Sequence, residues 1–343
     1  MSYRILIDGD LILHKAAHVS QTLKYGVWST VKEFEQGFAP VVEYKRKGDA
    51  VNWVKGTGSA LCIIQPLVQA KSFSVATNAV SNMVNSIRET FKENGYDESS
   101  EPIMYFTDSD GNFRKQLSSL IPYKGNRKNY VRPYWFNAIK EMLKDRYNCV
   151  QAVEEEADDC LGRDGTNGQD CVIASLDKDM LTIPGKHLNW VRRTITNISE
   201  REAMFNFYSQ LLQGDVADNV VGIKGMGPVR ANKHLERQVS LQIETEGKSS
   251  YEDSTQMYES QLHSACSTKY LDFVIHGVTN AAKTDVALSL HDMDVYVSCA
   301  KKWLNSNANL LWIRRTGREQ WGRDQITLQS YQKTNPSTRT KSS

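Results

Sequence analysis

The stretch YRILIDGD, residues 3–10, is a short apolar run that ends in acid. Such a run, bounded by a turn signal, predicts a buried β-strand. The pattern recurs. PIMYFTD (102–108) closes on Asp108, CVQAV (149–153) runs into EEEADD (154–159), and CVIAS (171–175) runs into LDKD (176–179). HLNWV (187–191) predicts a fifth strand. Between the first two, residues 76–94 set Val80, Met83, Val84, Ile87 and Phe91 on one helical face, and Gly95 ends the helix. Residues 134–148 predict another helix. Strands alternating with helices predict an α/β fold around a parallel sheet.

In such sheets ligands gather beyond the carboxyl ends of the strands, where these acids stand. The candidates are Asp8, Asp108, Glu156, Asp158, Asp159, Asp177, Asp179, Asp215 and Asp218. Nine carboxylates in one cleft are tolerable only if cations fill it or several acids keep their protons. Oxygen donors without His or Cys favour Mg²⁺ or Mn²⁺ over zinc. Two such ions would clamp a phosphodiester and activate water. Taken singly, each acid also has a plainer account. Asp158 and Asp159 fit first-turn helix acids facing the dipole, and Asp177 and Asp179 fit turn residues.

The chain of 343 residues is 40% hydrophobic and 24% charged, as expected for about two globular domains. Lys+Arg 42 against Asp+Glu 40 leaves a net charge of +2, which by itself argues neither for nor against nucleic acid. Local charge decides instead. From Gly111 to Lys140 there is no acid, but Arg114, Lys115, Lys124, Arg127, Lys128, Arg132 and Lys140 are interleaved with Tyr123, Tyr130, Tyr134 and Trp135. Cations mixed with aromatics suit single-stranded nucleic acid, although an ordinary solvated face would show the same mix. An acidic pocket and a basic channel cancel in the sum but not in space. No long apolar run suggests a membrane span, and Asp8 and Asp10 come too early for a signal peptide. Six cysteines without a C-x-x-C pair fit reduced thiols in a cytoplasmic protein.

Residues 199–213 predict a helix opened by a capping box, Ser199 with Glu202. After it, GIKGMG (222–227) leads into Pro228, apt for the first turn of a further helix. Outward backbone N–H groups of Gly222, Lys224, Gly225 and Gly227 would hold a phosphate without reading sequence. These glycines do not follow a strand, which argues against a dinucleotide fingerprint, and Gly56-Thr57-Gly58 lacks the P-loop pattern. Residues 236–285 are polar and weakly amphipathic, a helical or loop lobe. Residues 11–75 give no clear pattern beyond the basic knot at 44–48. The last dozen residues are polar, basic and expected to be disordered.

Read in order, ILIDGD (5–10), YFTDSDGNFRK (105–115), PYKGNRK (122–128), EADD (156–159), SLDKD (175–179), LTIPG (181–185) and GDVADNVVGIKGMGP (214–228) resemble the 5′-nuclease (flap endonuclease) superfamily. The set is most similar to the 5′→3′ exonucleases of short-tailed T-odd bacteriophages. The resemblance covers roughly residues 3–235; residues 20–75 and the part after about 236 fall outside it. It implies a PIN-like catalytic domain over 1–195 with a helical arch at 111–135. A helical DNA-binding lobe with a helix–two-turn–helix (helix-hairpin-helix) would follow over 196–325, then a tail over 326–343. It implies one metal site served by Asp8, Asp108, Glu156, Asp158 and Asp159. Asp177, Asp179, Asp215 and Asp218 would serve or shape a second. Lys124 and Arg127, with Arg114 a further candidate, would contact the scissile phosphate. Lys115 and Lys128 would join the hairpin in holding DNA, with K⁺ as a hairpin cofactor.

The activity so implied is metal-dependent 5′→3′ cleavage of duplex DNA at ends, nicks or flaps, in phage replication, recombination and breakdown of host DNA. RNA–DNA hybrids are a further implied substrate and a single-strand-binding protein an implied partner. A structure-selective flap endonuclease, a non-catalytic DNA-structure-binding protein and a PIN-type ribonuclease are the alternatives. The duplex-gripping hairpin argues against the last.

Overall fold

The computed structural model describes residues 2–98, 101–108, 111–117, 121–127, 130–167, 170–246, 255–282 and 290–315. The chain opens with β1 (Ser2–Asp8), whose final carboxylate caps α1 (Gly9–Val19) by accepting from Leu11 N–H. The part without a sequence pattern then forms a small unit of its own. It comprises β2 (Gln21–Trp28), α2 (Val31–Glu35), β3 (Val42–Tyr44), α3 (Lys47–Thr57) and β4 (Ile63–Ala70). Its three strands pair antiparallel in the order β3-β2-β4. The unit hid from periodicity because its strands are only partly buried, with neither face of the sheet fully apolar.

The main sheet resumes after α4 (Phe73–Glu93), where Val80, Val84, Ile87 and Phe91 form the buried stripe. There follow β5 (Asp97–Glu98), β6 (Ile103–Phe106), the one-turn α5 (Arg114–Leu117), α6 (Phe136–Arg146), β7 (Asn148–Gln151), α7 (Ala157–Asn167) and β8 (Cys171–Ala174). Then come β9 (Gly185–Asn189) and β10 (Thr194–Ile198). The sheet order is β10-β9-β8-β1-β6-β7, with β5 also on β1; only the β9–β10 pair is antiparallel. The chain leaves β1 for β6 and β7, then returns on the other side through α7 to β8. The order therefore reverses between β1 and β8, which opens a crevice beyond their carboxyl ends. One face of the sheet packs on α1, α4 and α6, through residues such as Ile7, Leu13, Val84 and Ile139. The other packs on α7.

The remainder is helical: α8 (Glu200–Gln213), the tiny hairpin β11 (Gly214–Asp215) with β12 (Val220–Val221), α9 (Pro228–Glu246), α10 (Thr255–Ala282) and α11 (Leu290–Leu311). Both halves of the expected capping box form, Ser199 Oγ accepting from Glu202 N–H and Glu202 from Ser199 N–H. Helix α10 shows little amphipathicity because α8, α9 and α11 all pack on it, so its apolar residues are not confined to one stripe. Where a helical arch is expected, the described residues of 111–135 form only α5 and a 3₁₀ turn at Gly125–Arg127. The expected tail lies outside the described residues.

Candidate active site

The crevice between β1 and β8 collects acids by strand geometry. Asp8 ends β1 and Ser175 follows β8; Ser175 Oγ donates to Asp8 Oδ2 at 2.8 Å, which bridges the point where the strand order reverses. Asp177 accepts from Asp179 N–H at 3.0 Å and so starts the 3₁₀ turn Lys178–Thr182. Helix α7 brings Asp158 in from the β7–β8 crossover.

These carboxyls repel. Burial first, then the charges of Asp10 and Asp177, push Asp8 up to about 7. Burial and the charges of Asp8, Glu156 and Asp177 push Asp158 well above the carboxylate range. A second group lies on the far side of Asp177: burial, then Asp177 and Asp215, raise Asp179 to about 7. Burial likewise raises Asp218. Asp215 is buried in β11 and accepts from Ala217 N–H (2.7 Å) and Asp218 N–H (3.2 Å), which turns this loop back toward the crevice.

The basic turn lies down on this loop. Lys124 N–H donates to Asp218 O (2.9 Å), Asn126 Nδ2 to Val216 O (2.7 Å) and Asn219 Nδ2 to Pro122 O (2.9 Å). Lys124 Nζ pairs with Glu156 and lies 3.7 Å from Asp218, while Arg127 Nη2 donates to Asp218 at 2.8 Å. Burial works to raise Glu156, yet Lys124 and Arg114 hold its carboxyl below the usual range.

Other predicted residues are placed elsewhere. Asp108 accepts from Glu154 N–H at 3.1 Å, at the edge of the cluster. Asp159 is fully buried and gripped by both arms of Arg114, at 2.6 and 2.8 Å. Arg114 also donates from Nε to Leu310 O and from Nη2 to Trp312 O. These two therefore face each other inside the protein, apart from the crevice. Lys115 is exposed, and Lys128 lies outside the described residues.

Two contributors were missed. Asp10 opposes the charging of Asp8 and accepts from Thr107 N–H at 3.0 Å; its position two residues after Asp8 in the same motif was a usable signal. Tyr123, a stacking aromatic by its place in the basic stretch, is buried against acids. Its Oη lies 2.9 Å from Glu156 Oε2 and 2.7 Å from Asp218 Oδ2. No sequence signal marked that role.

A phenol has one proton to give, so Tyr123 cannot fully satisfy both carboxylates. The raised Asp8, Asp158 and Asp179, crowded by one another's charges, fit a site for hard divalent cations. Among the described residues no three His, Cys, Asp or Glu side chains close into a ready cage. The fit therefore rests on donor chemistry.

The predicted hairpin stands beside the second acid group. Gly222 is required there: an added Cβ would sit 2.1 Å from the Gln213 carbonyl carbon. Gly225 has φ 86°, and Gly227 faces open space. Lys224 and Arg230 line a concavity of about 220 Å³ shared with Lys269, Asp272 and Phe273 of α10. All six cysteines are free thiols, and no helix among the described residues is long and apolar enough to cross a membrane.

Residues 62–209 match the family described as 5′-3′ exonuclease, N-terminal resolvase-like domain. The match includes Asp108, the basic turn, α7 and Asp177–Asp179, and excludes Asp8, Asp215 and the hairpin. No curated protein matches the chain. Among solved structures, the T5 D15 protein co-crystallised with metal ions aligns at 14% identity and TM-score 0.40, over 89% of this chain and 94% of that one. A bacteriophage T5 D15 flap endonuclease complex with DNA and metal ions aligns at 14% and 0.42, over 88% and 98%. Flap endonuclease-1 from Methanococcus jannaschii aligns at 14% and 0.37, over 90% and 93%. Likenesses this distant carry no weight for its chemistry. The parallel sheet with flanking helices is PIN-like, and residues 62–209, somewhat under half of the chain, are similar to the 5′-3′ exonuclease N-terminal resolvase-like domain family.

Proposed function

We propose that the chain is a divalent-metal-dependent 5′→3′ exonuclease that hydrolyses duplex DNA from ends or nicks and leaves 5′-phosphates. The observation that carries this is the pair of acid groups, Asp8–Asp158 and Asp179–Asp215–Asp218. They meet across Asp177 at the mouth of the parallel sheet, and the cations that face them among the described residues, Lys124, Arg127 and Lys178, are fewer than the acids.

Asp8, Asp158 and Glu156 would hold one Mg²⁺ or Mn²⁺, with Asp108 and Asp10 at its border. Asp177, Asp179, Asp215 and Asp218 would hold or shape a second. The ions supply Lewis-acid activation of water and neutralise the phosphodiester's charge. Lys124 stands within ion-pair reach of Glu156 and Asp218, and Arg127 of Asp218, so a phosphate bound there would meet their charges and the charge developing on it would be stabilised. Tyr123, already a donor between Glu156 and Asp218, orients those carboxylates. The Gly222–Gly227 hairpin, Lys224 and Arg230 would grip the duplex backbone, with K⁺ at the hairpin, one short loop from Asp215 and Asp218. Asp159 and Arg114 serve this site through position, not by contact with the substrate.

A time course on 5′-labelled nicked duplex, with Mg²⁺ and with EDTA, tests the proposal. Metal-dependent release of mononucleotides or short oligonucleotides supports it. Release of an intact flap from a flapped substrate assigns the chain as a flap endonuclease instead. Binding without cleavage under Mg²⁺ and Mn²⁺ refutes catalysis. The same assay with an RNA–DNA hybrid, and with a single-strand-binding protein added, tests those extensions of substrate and partner. A role in phage replication and a cytoplasmic setting belong to the same proposal.

A further inference from the structure

We infer that Leu310–Arg315, where the chain leaves α11, is a strap that positions the active site, with Arg314 as its positioning residue. The inference rests on the nuclease function proposed above.

The strap touches three segments that carry or adjoin candidate site residues. Toward the root of the basic stretch, Arg114 Nε donates to Leu310 O at 3.0 Å and Nη2 to Trp312 O at 2.7 Å. The Arg314 guanidinium stacks 3.7 Å above the Phe113 ring. Toward the acid helix, Arg314 N–H donates to Asp159 Oδ1 at 3.1 Å and Arg314 Nη1 to Glu155 Oε2 at 3.0 Å. Toward the turn that bears Asp177 and Asp179, Arg315 donates to Thr182 O. Glu155 and Asp159 bracket Glu156 and Asp158, the two α7-side acids of the crevice. Holding the bracket fixes what lies between.

The strap is seated as tightly as a core element. Ile313 is buried in the cluster beneath the sheet, and Trp312 packs edge-on to Phe207 of α8 with ring centroids 5.0 Å apart. An added Cβ on Gly162 of α7 would fall 2.3 Å from Arg314 O, so the strap lies directly on the α7 backbone. It also closes a buried ionic network in which Arg114, Arg163 and Arg314 face Glu155, Glu156 and Asp159. Buried charges hold geometry well only when fully paired, because a stranded partner moves or draws in water. Loss of the Arg314 side chain leaves Glu155 with Arg163 alone and removes the stack on Phe113; the Arg314 N–H to Asp159 remains, but on a strap that has lost the side chain seating it. Arg114, 3.5 Å from Glu156, can then shift, and the error reaches the crevice acids. A misplacement of about 1 Å at reacting groups costs up to about a hundredfold in rate.

The test uses the full chain, wild type, Arg314→Ala and Arg314→Lys. The readouts are single-turnover cleavage of nicked duplex in Mg²⁺, duplex affinity in EDTA, and the melting temperature. The expected result for Arg314→Ala is a loss of about ten- to a hundredfold in cleavage rate, with affinity held within about twofold of wild type. Arg314→Lys keeps the charge and should recover part of the rate. It provides the same comparison should Arg314→Ala not fold. Wild-type cleavage by the variants overturns the strap's role. So does a loss of affinity in step with rate and melting temperature, because that is the mark of general destabilisation. A wild-type chain that cuts nothing overturns the nuclease proposal itself, and the strap's role with it.

Discussion

Asp8→Asn should make the metal-free protein more stable and catalytically dead at the same time. Asp8 is buried, next to Asp10 and Asp177, and its carboxyl is raised to about 7, against 3.8 for an unperturbed one. The folded state keeps this proton up to about pH 7, whereas the unfolded chain gives it up near pH 4. The group's contribution to stability is thus fully present at low pH and falls as pH rises between those values. At pH 8 the charged form weakens the metal-free fold by about 4 kcal/mol if Asp8 acts alone. Coupling to Asp158 spreads that figure over the pair. Asparagine is close to the same shape, can still accept from Leu11 N–H, and carries no charge. We expect it to gain about 1–3 kcal/mol at pH 8 in EDTA and less than half of that at pH 5, where folded Asp8 is neutral but the unfolded chain has already given up the proton. Urea melts at pH 5, 6, 7 and 8 measure the difference. Saturating Mg²⁺ should reverse the order at pH 8, since only wild type gains fully from the ion. A variant that loses stability at pH 8 in EDTA, or gains equally at pH 5, refutes the electrostatic account.

Asp177→Asn and Asp215→Asn should each remove most turnover while duplex binding stays detectable; wild-type turnover in both would falsify the metal assignment. Lys124→Ala should slow single-turnover cleavage about 10²–10³-fold and weaken duplex affinity far less, and a proportional loss of both would make Lys124 a positioning contact. Arg114→Ala strands a fully buried Asp159 and should cost about 3–5 kcal/mol in denaturant unfolding; a loss below about 1 kcal/mol would mean that water reaches the pair. Gly222→Ala drives a methyl into the Gln213–Gly214 backbone and should lower duplex affinity in EDTA, whereas unchanged anisotropy titrations would remove the hairpin from the DNA grip.

Most of the sheet was legible because its signals are local. Runs such as RILID and CVIAS are buried on both faces, and each stops where an acid begins. The acids that end strands, Asp8 and Asp177 above all, inherit their position from backbone topology, so reading the strands located them. The three-stranded unit of residues 21–70 left no such trace, since each strand is only partly buried and its partners are antiparallel neighbours of mixed polarity. Asp159 and Asp158 are adjacent in sequence and alike in type, yet one faces the crevice and the other faces Arg114. Helix geometry separates them by about 100°. No spacing rule shows which of the two faces will hold a cation.

Tyr123, Arg114 and Leu310–Arg315 show where such reading fails. Their meaning lies in partners 33 to 198 residues away: Glu156 and Asp218 for Tyr123, Leu310 and Trp312 for Arg114. A sequence read locally assigns a tyrosine among lysines to stacking and an arginine near a basic turn to phosphate. Burial reverses both assignments, because a buried cation must take an anion and a buried phenol must take an acceptor. The same reversal explains how one pocket can hold both acids that repel and acids that are satisfied. Glu155 and Asp159, turned toward arginines, anchor the helix. Asp158, turned away from them, keeps its charge problem, and a divalent ion can answer it only because its neighbours are already fixed.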